Sequence, residues 1–169
     1  QTWNNLSLTD KIDSAFVVDN TYVIFIKGKY YVKYNMITRQ QLPNYPKTVK
    51  SNFYYLPELF HNNITSSMNI GNNIVLLFNN LNYIEYNINS IENENAITYP
   101  ASIKYSLKNK FPGIRLNKWD GIISKFNDII IIFLNDDYYI YDIGKNKIII
   151  KTSMRKQWSG IWKVNINNL

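Results

Sequence analysis

Apolar and polar positions along the chain form a unit that recurs three times. Tyr22 to Ile26, Ile74 to Phe78 and Ile129 to Phe133 are uninterrupted apolar or β-branched runs, as expected of strands buried on both faces. Each is followed by an alternating, largely tyrosine-rich run that reads as a second strand. Lys27-Gly28-Lys29, Asn79-Asn80 and Asn135-Asp136-Asp137 lie between them and carry residue types that tolerate tight-turn geometry. Each unit therefore predicts an antiparallel meander of three or four short strands.

The units align without gaps over positions 12–35, 64–87 and 119–142, with starts 52 and 55 residues apart. Phe25, Phe78 and Phe133 are read as counterparts, followed by Tyr30, Asn82 and Tyr138 and then by Tyr34, Tyr86 and Tyr141. A second block follows each first one. Pro46-Lys-Thr-Val49 leading to Phe53 aligns with Pro100-Ala-Ser-Ile103 leading to Leu107, and with Lys151-Thr-Ser-Met154 leading to Trp158. The apolar pair at i, i+4 predicts a short helix, and proline at the head of two of the three fits its first position. Leu56-Pro-Glu-Leu59 and Phe111-Pro-Gly-Ile114 are expected to end the first two helices. One domain over 1–169 is expected, with repeats at about 12–63, 64–118 and 119–162, a preceding unit's tail at 1–11 and a following unit's stub at 163–169. A repeat of this size and make-up fits one blade of a β-propeller, in which each blade buries its faces against its neighbours.

These residues resemble hemopexin repeats. The first repeat is the nearest to the family pattern, with Ile12-Asp13-Ser14-Ala15-Phe16, then Phe25 through Tyr34 around Gly28, then Tyr45-Pro46. The second keeps Phe78, Tyr86 and Tyr99-Pro100 but has Thr65 in place of Asp. The third keeps Asp120, Phe133 and Tyr138 to Asp142 and lacks the proline. The resemblance spans about Ile12 to Ile161 and implies an all-β, four-bladed hemopexin-like propeller, of which three repeats are visible. A further domain or chain is then expected to supply the fourth blade. Trp3-x-x-Leu6 echoes Trp158-x-x-Ile161, consistent with a chain cut from a longer array. The family's disulfide between first and last blades has no counterpart, because the chain has no cysteine.

The resemblance also implies a central channel in which backbone carbonyls hold calcium or another small ion. Carried over residue by residue, these are Asp13, Thr65 and Asp120, with Ala15, Ser67 and Ile122 as a second ring. Carbonyl oxygens suit hard cations and make no demand on side-chain type. The alternative is that Asp13 and Asp120 cap turns. Heme is disfavoured, since iron needs protein ligands and the single histidine, His61, lies between repeats, where solvent exposure is the ordinary expectation.

Composition narrows the function classes. The chain has 169 residues, is 46 % hydrophobic and 15 % aromatic, and can build a sizeable core. The longest apolar run, Ile129 to Leu134, falls far short of the roughly 18 residues of a spanning helix. Asn, Ile, Lys and Tyr dominate as AT-rich codons would have it, so abundant Asn carries little meaning. The opening Gln-Thr-Trp has neither an initiator Met nor a signal pattern, and any targeting segment is expected to have been removed or to lie outside this sequence.

The net charge is +7. The C-terminal segment gathers Lys147, Lys151, Arg155 and Lys156 without an acid, a weak polyanion patch whose ordinary reading is a solvated face. Nucleic acid is the lesser reading. No nucleophile motif occurs, and Glu92/Glu94 and Asp136/Asp137 fall in Asn-rich turns where solvated charge is expected. The expected function is a noncatalytic binding or targeting module for a protein or cell-surface ligand, extracellular or secreted, within a larger protein or toxin. The alternative is a small-ligand protein holding heme, a polyamine or a glycan at the channel mouth.

Overall fold

The computed structural model describes residues 7–8, 11–79, 82–96, 105–106, 111–114, 121–126, 129–134 and 136–157, and these fall into two compact units, Gln1–Leu107 and Lys108–Leu169. The first unit holds two antiparallel meanders. Sheet 1 runs β1 (Ser14–Val17), β2 (Tyr22–Lys27) and β3 (Tyr30–Asn35), with the short β4 (Gln40–Gln41) and β5 (Lys47–Thr48) both pairing with β3. Sheet 2 runs β6 (Ser66–Gly71), β7 (Ile74–Asn79), β8 (Asn82–Asn87) and β9 (Tyr105–Ser106). The second unit holds sheet 3, of β10 (Gly121–Phe126), β11 (Ile129–Leu134), β12 (Asp137–Asp142) and β13 (Lys147–Ser153).

The turns follow from their residues. Gly28 at φ 52° opens the β2–β3 hairpin, and its N–H donates to the Asp13 carboxylate at 2.7 Å. Asn72 and Asn73, at φ 51° and 59°, make the two-residue β6–β7 turn that Asn tolerates. Asp19 Oδ1 accepts from the N–H groups of Thr21 and Tyr22 at 2.6 and 2.9 Å and closes the first turn of the meander.

The apolar runs are buried on both faces in β2 and β7, as expected. One core lies between sheets 1 and 2. Sheet 1 offers Ile24, Ile26 and Tyr31, sheet 2 offers Val75, Leu77, Ile84 and Tyr86, and Val49, Phe53, Leu56, Phe60 and Ile64 from the connecting segment fill the space between them. The other face of sheet 1 buries Val23, Phe25, Val32 and Tyr34 with Leu8.

This division corrects the alignment of the phenylalanines. Ser14 pairs with Ile26 as Ser66 pairs with Phe78 and Gly121 with Phe133. Phe25 is therefore the counterpart of Leu77, on the opposite face from Phe78, because a one-residue slip in a strand reverses the side it presents. Tyr138 shifts by one position as well. Tyr30, Asn82 and Asp137 are equivalent by register, and Tyr138 answers to Tyr31 and Tyr83.

The helices are single turns, α1 (Val49–Asn52) and α2 (Met154–Gln157). In the second repeat the helix expected from Ile103 to Leu107 is corrected, since Tyr105–Ser106 is a strand pairing with Asn82 and Tyr83. Thr48, Ser106 and Ser153 occupy one position, opposite Tyr30, Asn82 and Asp137. Counting onward from that hydroxyl residue, Phe111 answers to Phe53, and Leu107, Val49 and Met154 fall together in the sequence. The prolines misled the alignment by four residues, the length by which the second connection exceeds the first. Phe111-Pro-Gly-Ile114 is thus equivalent to Phe53–Leu56, not to Leu56–Leu59. Both close with the same bond, Leu56 N–H to Phe53 O and Ile114 N–H to Phe111 O, each 3.3 Å. Tyr55 (φ 65°) and Gly113 (φ 88°) hold the left-handed position of that turn.

Candidate functional site

Two places in the first unit gather polar groups. The first is the free edge formed by β1 and β6. Val18 N–H donates to Tyr22 O at 2.9 Å, so alternation along the ladder turns the backbone groups of Ala15 and Val17 away from β2. Val17 O accepts from the Asn69 side chain of β6 at 2.7 Å. The hydroxyls of Ser14 and Ser67, both buried, share a hydrogen bond. By the same register, Ser67 is the counterpart of Ala15 and its carbonyl also faces off the sheet edge.

Four of the six expected channel residues, Asp13, Ala15, Thr65 and Ser67, therefore flank one seam. Asp13 and Thr65 are equivalent, their N–H groups donating to Ile26 O and Phe78 O at 3.0 and 2.8 Å. The Asp13 carboxylate is used by Gly28, as the turn-capping alternative has it. Ile122 is a buried residue of β10 in the second unit, and Asp120 lies outside the described residues. The donors fit a hard cation in kind, since the Ala15 and Ser67 carbonyls lie on the free edge. Among the described residues no group of three or more His, Cys, Asp or Glu side chains could hold a metal ion.

The second place is a carboxylate clasp that composition did not reveal. Glu92 Oε1 accepts from Tyr45 Oη at 2.6 Å, Lys47 Nζ at 2.7 Å and Tyr31 Oη at 2.8 Å. Lys47 also lies 4.8 Å from the centre of the Tyr45 ring. Burial by itself would raise the Glu92 pKa, but Lys47 and the two phenols outweigh it and hold the carboxyl below its ordinary value. Burial, then the hydrogen bond to Glu92, pushes the Tyr31 and Tyr45 phenols up. Glu92 arrives there at φ 61°, with its N–H on Asn52 O at 2.7 Å and its neighbour Ile91 bridged to Phe53. It is a fastening between repeats, in contrast to the solvated charge expected. The signal available in sequence was the Tyr45–Lys47 pair ahead of the helix, but nothing there says which distant acid it meets.

Other candidates take ordinary places. His61 is half-buried, its Nε2 2.8 Å from Leu56 O, which corrects the expectation of solvent exposure. Asp137 lies 3.6 Å from Lys151, and Asp136 O accepts from Met154 N–H. Of the polyanion patch, Lys147 and Lys151 stand on β13, Arg155 and Lys156 on α2. Lys151 also lies 5.4 Å from the Tyr139 ring centre. No described helix is long and apolar enough to cross a membrane.

No protein-family model and no curated protein matches the sequence. Solved structures do. A hemopexin-fold protein from cow pea is similar over 92 % of this chain and 73 % of its own, at 12 % identity and TM-score 0.70. A plant lectin with two metal-binding sites from Cicer arietinum is similar over 91 % of this chain and 73 % of its own, at 15 % identity and TM-score 0.70. A seed albumin from Lathyrus sativus is similar over 89 % and 70 %, again at 15 % and 0.70. At these identities the likeness is one of fold, and the chain has a hemopexin-like, all-β fold.

Proposed function

We propose that this chain is a noncatalytic binding module whose meanders are blades of a hemopexin-type propeller, presented to a protein or cell-surface ligand outside the cell. The three sheets share one register from the inner strand to the hydroxyl residue before the helix, which supports the blade reading. Completion of the ring by a further blade is part of the proposal and rests on the resemblance. So does a calcium or similar ion on the Ala15 and Ser67 carbonyls.

The observation that carries the reading is where exposed apolar side chains stand. Cores close inside the sheets, while Val17, Ile37 and Ile70 in the first unit and Ile149 and Ile150 in the second remain open at strand ends, turns and the edge strand. The polar groups beneath, Ser14, Ser67, Tyr31, Tyr45 and Glu92, are spent on fastening. A stable frame with open apolar positions suits recognition by surface.

The test is saturable binding of labelled chain to intact cells, before and after trypsin or glycosidase treatment. The proposal expects saturable binding that trypsin abolishes. Loss with glycosidase alone would move the function to glycan binding, in keeping with the lectin among the similar structures. Saturable binding of heme or spermine by the purified chain would favour the small-ligand alternative. Absence of any saturable binding would overturn the module.

A further inference from the structure

Strand β13 differs from its counterparts. Among the described residues, β4, β5 and β9 are two residues long, short enough to blunt a sheet edge, whereas β13 runs for seven at the edge of sheet 3. Ile149 and Ile150 are 48 % and 44 % exposed there, one in the bulge opposite Ile140 and Tyr141, the other in register with Ile140. The Met154 N–H bond to Asp136 O, at 2.8 Å, fixes the phase of the ladder. It turns the backbone groups of Lys151 and Ser153 away from β12, to the open side.

The edge strand and the turn and helix that flank it carry charge of one sign, while β12 beside them brings Asp137 to 3.6 Å from Lys151 and Asp142 to 3.3 Å from Lys145. Residues 143–157 contain Lys145, Lys147, Lys151, Arg155 and Lys156 and no acid. Lysines at both ends of Ile148–Ile150 are a known guard against pairing of like edges, since a second copy would bring the same cations alongside. They do not repel an acidic strand. We propose that β13 accepts an extended, acidic polypeptide segment of a protein partner as an added antiparallel strand, its apolar residues against Ile149 and Ile150 and its carboxylates toward Lys147 and Lys151. The inference rests on the binding-module reading and names one surface and one partner chemistry for it.

The probe is a fluorescent ten-residue peptide of alternating valine and threonine bracketed by glutamates, with a lysine-bracketed twin, titrated into the whole chain and followed by anisotropy. Saturable binding of the acidic peptide and none of its twin is expected, with new protection from hydrogen exchange at the Lys151 and Ser153 amides. Ser153→Pro removes an outward N–H without touching the ladder to β12, and is expected to weaken binding at least fivefold. Lys147→Gln with Lys151→Gln is expected to do the same and to flatten the salt dependence. Binding that survives Ser153→Pro without amide protection would reduce the effect to surface charge and overturn the added strand. Dimerisation of the chain through β13, or no binding of the acidic peptide, would also overturn it. If cell binding persists in Ser153→Pro while the peptide fails, the module stands and this surface falls.

Discussion

The ring of Phe53 lies 5.7 Å from that of Tyr86, 19° from parallel, and Tyr86 Oη donates to Tyr54 O at 2.8 Å. Phe53 ends the helical turn of one repeat and Tyr86 belongs to the strand pair of the next, so the contact joins successive repeats. In the second unit Phe111 meets Tyr141 edge-on at 5.3 Å and 83°, in the same pairing of positions. Phe53 is 1 % exposed, and Phe53→Ala is expected to cost about 3–5 kcal/mol in urea unfolding of the chain. Tyr86→Phe keeps the ring and loses the hydrogen bond, at about 1 kcal/mol. Equal losses from the two variants would mean that the hydroxyl, and not ring packing, fastens the repeats.

How much of this was legible beforehand depended on periodicity. Strands showed well, because β2, β7 and β11 are continuous apolar runs and a twofold pattern survives a change of side chain. The face each residue presents did not, because Phe25 and Ile26 are equally good core residues and pairing alone distinguishes them. Proline was the misleading mark. Pro46 and Pro100 look equivalent, but the recurring chemistry is a hydroxyl residue, an aliphatic and then an aromatic, in Thr48-Val49 to Phe53 and Ser153-Met154 to Trp158. The Glu92 clasp was hidden because it joins residues 45 to 61 positions apart. Local pattern carries no record of such a contact.

Gly113 and Tyr55 hold the same left-handed turn position, one with the residue suited to it and one without. A Cβ on Gly113 would meet Ile148 Cδ1 at 3.5 Å, an ordinary contact, so the cost of Gly113→Ala is conformational. It is expected to be about 1–2 kcal/mol. Tyr55→Gly releases a comparable strain but loses the bond from Tyr55 Oη to Glu94 O and loosens the unfolded chain, leaving a net change near zero. Thermal unfolding of both variants checks the pair, and a tolerated Gly113→Ala would contradict the shared turn.

Ser14 and Ser67 make a buried hydroxyl pair across the seam of the two inner strands. Ser14→Ala or Ser67→Ala alone leaves its partner buried and unsatisfied, at about 1–2 kcal/mol each. The double variant removes both polar groups and is expected to cost less than the sum of the singles. A double-mutant cycle by urea unfolding measures the difference. Strict additivity would show that the two hydroxyls are not coupled.

Glu92 makes the sharpest case because one carboxylate oxygen serves three donors, Tyr31, Tyr45 and Lys47. Its carboxyl is held below the ordinary value, so the folded chain binds that proton less readily than the unfolded chain does. The stability it contributes is therefore fully present above the unfolded value of about 4.3, and is lost as pH falls through the lower folded value. Glu92→Gln keeps the size and an acceptor oxygen but removes the charge facing Lys47, at a cost on the order of 1 kcal/mol at neutral pH, since the pair is partly open to solvent. The difference between the parent and Glu92→Gln should shrink steadily between about pH 5 and pH 3. Lys47→Met should reproduce part of the loss, while the phenols of Tyr31 and Tyr45 continue to donate. Unfolding midpoints collected across that range decide it, and a gap that stays constant with pH would mean that the clasp acts by shape alone.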